Sequence, residues 1–233
     1  MKPRRLVLFS GMGADGRLFR SIRIPEAEIV TPDHAEPAPG ETLPQYAARI
    51  ADRLNIEPAD FVGGISFGGM LAGEIAQQRR VAGVILLGSC LRPDRLPRSY
   101  RWIERLGVFI PDFALSCRSW RPLVRWRFAP LTRDAETCLI EMANNYPVGQ
   151  IRIFGRMIMD WQGVDHLGCP VLSIHGDSDR IIPLTAAAAD VILKNAGHAF
   201  TLTHADQTVS AIREFLWRHT NPALEPIHRY APS

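Results

Sequence analysis

Asp60-Phe61-Val62-Gly63-Gly64-Ile65-Ser66-Phe67-Gly68-Gly69 is the stretch that decides the fold of this chain. Residues 60–64 read as a short buried strand, and a helical pattern rich in small residues runs from Phe67 to Gln78. Ser66 therefore falls on the turn between strand and helix. Gly64 and Gly68 suit such a turn, because a backbone that reverses so tightly is strained and a Cβ at either position would crowd the serine hydroxyl. The hydroxyl is thereby pushed into the open.

Outward from this turn, short apolar runs alternate with helical patterns. Strands are expected at Leu6–Phe9, Glu28–Thr31, Asp60–Gly64, Gly83–Leu87, Val171–His175 and Asp190–Leu193. Helices are expected at Leu43–Leu54, where apolar residues recur at 43, 46, 47, 50, 51 and 54, at Phe67–Gln78, and at Asp206–Arg218. Such alternation predicts an α/β fold: about six mainly parallel strands with helices on both faces. The expected core spans 1–90 and 168–220. Residues 91–167, rich in Arg and Trp and punctuated by Pro93, Pro97, Pro111, Pro122, Pro130 and Pro147, read as a helical insertion over one end of the sheet, where a lid would sit. Residues 221–233 read as a loosely attached tail.

The candidate chemistry gathers at one sheet edge. Val171–His175 runs into Gly176-Asp177-Ser178-Asp179, a loop with two carboxylates, and the strand ending at Leu193 is followed by Asn195-Ala196-Gly197-His198. These loops leave the carboxyl ends of their strands, as does the turn at Ser66, and ligands of open α/β sheets bind at that edge.

In motif, context and residue order the sequence resembles the α/β-hydrolase superfamily, over about Leu6–His219 apart from the insertion. The resemblance implies Ser66 as nucleophile, His198 as general base and then general acid, and Asp179 as the carboxylate that orients the imidazole. Of the two aspartates, Asp179 matches the family's acid position, and Asp177 has an ordinary turn-making role open to it. It also implies an oxyanion hole from the backbone N–H groups of Phe67 and, in the loop Ser10-Gly11-Met12-Gly13 after the first strand, Met12. The family often opens this loop with His-Gly, where this chain has Ser10-Gly11. The implied activity is hydrolysis of a carboxylic ester or thioester, with a small-molecule acyl substrate and no metal or organic cofactor.

Two other readings compete. Gly11, Gly13 and Gly16 form G-x-G-x-x-G after a strand, with Asp33 further on, which is the pattern of a dinucleotide-binding oxidoreductase. Pro25 and Pro32 interrupt that reading, and it leaves Ser66, Asp179 and His198 without a task. The same fold could also serve a non-catalytic small-molecule receptor. Among the remaining histidines, His175 at the end of a buried strand reads as structural and His204 as a reserve base at a helix entry; His34, His166, His219 and His228 stand in no pattern.

Composition narrows the classes further. The chain has 233 residues, 46% apolar and 22% charged, the make-up of one ordinary globular domain. Its net charge of +3 offers little steering toward nucleic acid or an anionic membrane. Basic residues are nearly all arginine, lysine standing only at Lys2 and Lys194, and arginines crowd residues 91–136, which leaves room for an anionic acyl carrier as partner. Cys90, Cys117, Cys138 and Cys169 are too dispersed for a zinc site or a disulfide framework. Leu6-Val7-Leu8-Phe9 is too short for the core of a signal peptide and no run is long enough to span a membrane, so a cytoplasmic location is expected.

Overall fold

The structure is a computed structural model in which residues 4–93, 121–184 and 189–220 are described. Six strands form one sheet: β1 (Arg4–Phe9), β2 (Ala27–Val30), β3 (Phe61–Ile65), β4 (Gly83–Leu87), β5 (Val171–Gly176) and β6 (Val191–Leu193). Their order is β2-β1-β3-β4-β5-β6, and every neighbouring pair is parallel. Each strand lies within one or two residues of its expected position.

The burial pattern explains this order. Every residue of β3 and β4 is buried, as central strands covered on both faces must be, whereas β2 and β6 keep partly exposed residues as edge strands can. Alternate side chains of one strand go to opposite faces. Val7 and Phe9 join one apolar cluster with α1 (Leu43–Arg53) and α2 (Phe67–Gln78), while Leu6 and Leu8 join a second. The second cluster is closed by a 3-10 turn at Gly16–Phe19 and by the C-terminal helix at Ala205–Thr220. Helix α1 starts at a capping box, with Thr42 opposite Gln45 and Pro44 in the first turn, and buries Leu43, Tyr46, Ala47, Ile50 and Ala51 on one stripe.

Between β4 and β5 the described residues are helical: α3 (Arg121–Phe128), α4 (Arg133–Asn145) and α5 (Val148–Asp160). The first part of the expected insertion, 94–120, and the expected tail lie outside the described residues. The insertion serves both faces of the sheet. Cys138, Leu139 and Met142 of α4 belong to the cluster of the 3-10 turn, and Phe154, Met157 and Ile158 of α5 to that of α1 and α2. Exposed ion pairs of Arg17 with Glu141 and of Arg20 with Asp134 run between the 3-10 turn and α4. No helix among the described residues is long and apolar enough to cross a membrane.

Candidate active site

The order β2-β1-β3 reverses direction between β1 and β3, so the crevice beyond their carboxyl ends is the natural ligand position of the sheet. Ser66 follows β3 there. Its φ is +56°, a left-handed value that costs a non-glycine residue about 1–3 kcal/mol and persists only where surroundings enforce it. The enforcement is visible. Ser66 N–H donates to Leu87 O at 3.0 Å, and the Ser66 carbonyl accepts from Ser89 Oγ at 2.6 Å and Gly69 N–H at 3.0 Å. A Cβ on Gly64 would lie 2.4 Å from Phe9 O, and one on Gly68 2.1 Å from the same oxygen. Glycine at both positions lets α2 begin directly against β1.

The loop after β1 closes over this turn. Ala14 N–H donates to Gly11 O at 3.2 Å across Met12 and Gly13, whose φ of +79° is what the third residue of a type II turn requires. Ser10 Oγ donates to Ala14 O at 3.0 Å, so the serine that opens the loop ties it shut. A Cβ on Gly11 would lie 3.5 Å from Ser66 Cβ, which places the loop against the serine. Instead of the long helix that a dinucleotide fingerprint needs, Gly16 opens a four-residue 3-10 turn.

Asp179 and His198 meet beside Gly88, at the carboxyl end of β4. His198 Nδ1–H donates to Asp179 Oδ2 at 2.7 Å, and the two residues are only 5% and 4% exposed. The second carboxylate oxygen accepts from the N–H groups of Ile181 at 2.8 Å and Ile182 at 3.0 Å. Burial works to raise the Asp179 pKa, but the His198 imidazole, its hydrogen bond, His175 and the Ile181 N–H outweigh it, and the carboxyl sits below its ordinary value. Gly88 fits beneath the pair: a Cβ there would lie 3.2 Å from Asp179 Oδ2 and 3.3 Å from His198 Nδ1. Leu87 O receives the Ser66 N–H, so the serine's anchor and the floor of the pair are adjacent residues. Asp177, by contrast, is exposed and accepts from Ser178 Oγ at 3.0 Å.

Insertion residues reach the same place. The carbonyl oxygens of Phe128 and Ala129 stand 2.4 and 2.7 Å from where a Gly197 Cβ would be, and the Phe128 ring meets His198 edge-on with centroids 5.8 Å apart. Two histidines that sequence reasoning set aside also lie here. His175 donates from Nε2 to Ile182 O at 2.7 Å, and the same nitrogen is 3.5 Å from Asp179 Oδ2. His34 donates from Nε2 to Ser10 O at 3.0 Å. The signal for His34 was its position: Pro32-Asp33-His34 leaves the carboxyl end of β2, next to the loop after β1. His204 bonds Thr203 Oγ1 at the end of a short helix, Phe200–Thr203, His219 meets Phe215 edge-on, and His166 is exposed.

Fold and site together define an α/β-hydrolase architecture. The sequence matches the alpha/beta hydrolase family over residues 6–211, and the chain belongs to that family. An esterase from Thermogutta terrifontis is similar in structure, with a TM-score of 0.74 and 21% identity over 93% of this chain and 90% of that one. A bromoperoxidase from Bacillus anthracis has a TM-score of 0.71 at 19% identity, covering 93% and 92% of the two chains. The esterase RhEst1 from a Rhodococcus species has a TM-score of 0.70 at 16% identity, covering 92% and 90%. A search of curated proteins found no match. At these identities the similar structures speak for the fold, and family membership makes the chain a hydrolase.

Proposed function

We propose that this hydrolase cleaves a carboxylic ester or thioester through an acyl-enzyme on Ser66, with a Ser66–His198–Asp179 triad. The observation that carries the reading is the strained Ser66 turn standing one residue from the floor of a buried 2.7 Å imidazole–carboxylate pair. In this mechanism Ser66 Oγ attacks the carbonyl carbon while His198 Nε2 takes its proton, and Asp179 holds Nδ1–H and the developing positive charge. Backbone N–H groups of Met12 and Phe67 receive the oxyanion, Phe67 as the first residue of α2 with an N–H left over by the helix. His198 then protonates the leaving alcohol or thiol, and a water activated by the same imidazole releases the acid. Nothing in these steps calls on a cofactor. The insertion acts as a lid, and the arginines of 91–136 draw an anionic acyl carrier toward it, so kcat/KM for such a carrier should fall as salt rises.

The test is labelling with a fluorophosphonate probe, peptide mapping, and turnover of p-nitrophenyl esters and acyl-thioesters of increasing chain length by wild type and Ser66→Ala. Labelling at Ser66, with turnover lost in the variant, supports the reading. A folded wild-type protein that neither labels nor turns over any of these substrates refutes it and favours a small-molecule receptor.

A further inference from the structure

His34 does not belong to the proposed triad, yet its position connects it to both proposed oxyanion donors. Its Nε2 lies 3.0 Å from Ser10 O at the start of the loop that carries Met12. Its ring packs on Phe67, the other donor residue, with centroids 5.4 Å apart, and on Phe154 of α5 at 5.3 Å. A carbonyl oxygen only accepts, so the bond to Ser10 requires a proton on Nε2. Burial lowers the His34 pKa, while the Ser10 bond and Asp33 act in the opposite sense, so the ring is the neutral Nε2–H tautomer at neutral pH.

Ser10 Oγ to Ala14 O and Ala14 N–H to Gly11 O close the loop as a unit, and Met12 and Ala14 pack into the apolar clusters beside it. The His34 bond reaches the loop from another strand end. From this geometry we infer that His34 is the positioning residue of the oxyanion hole: its Nε2–H sets the Ser10–Gly11 peptide, and through it Met12 N–H, while its ring holds Phe67. The inference rests on the serine hydrolase reading and adds to it a residue that never touches the substrate.

Two variants separate the bond from the packing. His34→Phe keeps an aromatic face for Phe67 and Phe154 but removes the donor. His34→Gln places an amide N–H the same number of bonds from Cβ as Nε2. Removing one oxyanion donor outright costs about 10²–10³ in kcat, and misplacing one costs less, so His34→Phe should lose about tenfold in kcat and in the rate of fluorophosphonate labelling, with KM little changed. His34→Gln should recover most of that loss. Full activity in a folded His34→Phe, or an equal loss in folded His34→Gln, would overturn the inference. A third readout needs no variant activity: ¹⁵N-histidine NMR of the wild type should show His34 as the Nε2–H tautomer at neutral pH, and an Nδ1–H tautomer would overturn it as well. If wild type neither labels nor turns over, the serine hydrolase reading fails, and the tautomer still judges the Ser10 bond.

Discussion

Gly88→Ala tests the acid–base pair without altering either of its members. The substitution has two costs that can be separated. Gly88 has a φ of +50°, where an alanine costs roughly 1–2 kcal/mol of backbone strain, offset by about 0.4–1 kcal/mol from the stiffer unfolded chain. The net backbone cost of about 1 kcal/mol should lower the melting temperature by about 2–4 °C in a chain of this size. The second cost is steric and local. The new methyl would lie 3.2 Å from Asp179 Oδ2 and 3.3 Å from both His198 Nδ1 and Phe200 Cε1, closer than comfortable contact, so the pair must move apart by a few tenths of an ångström. Gly40→Ala is the control, because Gly40 has a φ of +73° and nothing within 4 Å of its Cβ position. Both variants should lose similar backbone stability, but only Gly88→Ala should lose activity, by about tenfold in kcat if small displacements of a base act as they do elsewhere. The assays are thermal unfolding and p-nitrophenyl ester turnover on matched preparations. Equal kcat values in two equally stable variants would refute the placement of the pair against Gly88 or its part in turnover.

Replacing Asp179 by Asn should lower kcat/KM by about 10⁴ while Asp177→Asn, at an exposed carboxylate bonded to Ser178, should change it little; the reverse ranking in ester kinetics would move the acid. Gly68→Ala puts a methyl 2.1 Å from Phe9 O, where backbone meets backbone, and should destabilise by about 3 kcal/mol or more in denaturant titration. Glu74 is buried on α2 and accepts from Trp161 Nε1 at 2.6 Å; burial raises its pKa above 4.5, with Trp161 and Gln78 opposing. A raised folded-state pKa gives stability that is whole below pH 4.5 and lost as pH rises through the folded value. Glu74→Gln keeps an acceptor for Trp161 and has no such loss, so its melting temperature relative to wild type should rise between pH 4 and pH 8; a flat difference would contradict the burial argument.

What could be read from the sequence divides along a physical line. The turn at Ser66 was legible because its causes are local: an apolar run, two glycines, a helical pattern, all within twenty residues. The strand Gly83–Leu87 was legible for the same reason, and Gly88 ends it with a left-handed φ. The acid loop was half legible. Its Gly-Asp-Ser-Asp pattern announced a carboxylate at a strand end, but the choice of Asp179 over Asp177 depends on which one turns inward to the Ile181 and Ile182 N–H groups and to His198. The resemblance to a family supplied that choice where residue spacing alone could not.

His34 and the insertion were illegible because their meaning comes from topology. Its place after a strand end is the one mark His34 carries in sequence, and its partners Ser10, Phe67 and Phe154 come together only because the strands run β2-β1-β3 and α5 returns to that side of the sheet. The insertion was expected over one end of the sheet, and Phe128 and Ala129 reach Gly197 and His198 there, while α4 and α5 each extend a different apolar cluster. Its helical character could be read from the sequence, but the surface each helix would cover could not, since an amphipathic stripe states that it will be buried and not against what. The reversal between β1 and β3 therefore does more than open a crevice for a ligand. It brings the ends of β2, β1 and β3 side by side, so that Ser66, the loop after β1 and His34 come from three different strand ends to one place, a relation that no local pattern in the chain encodes.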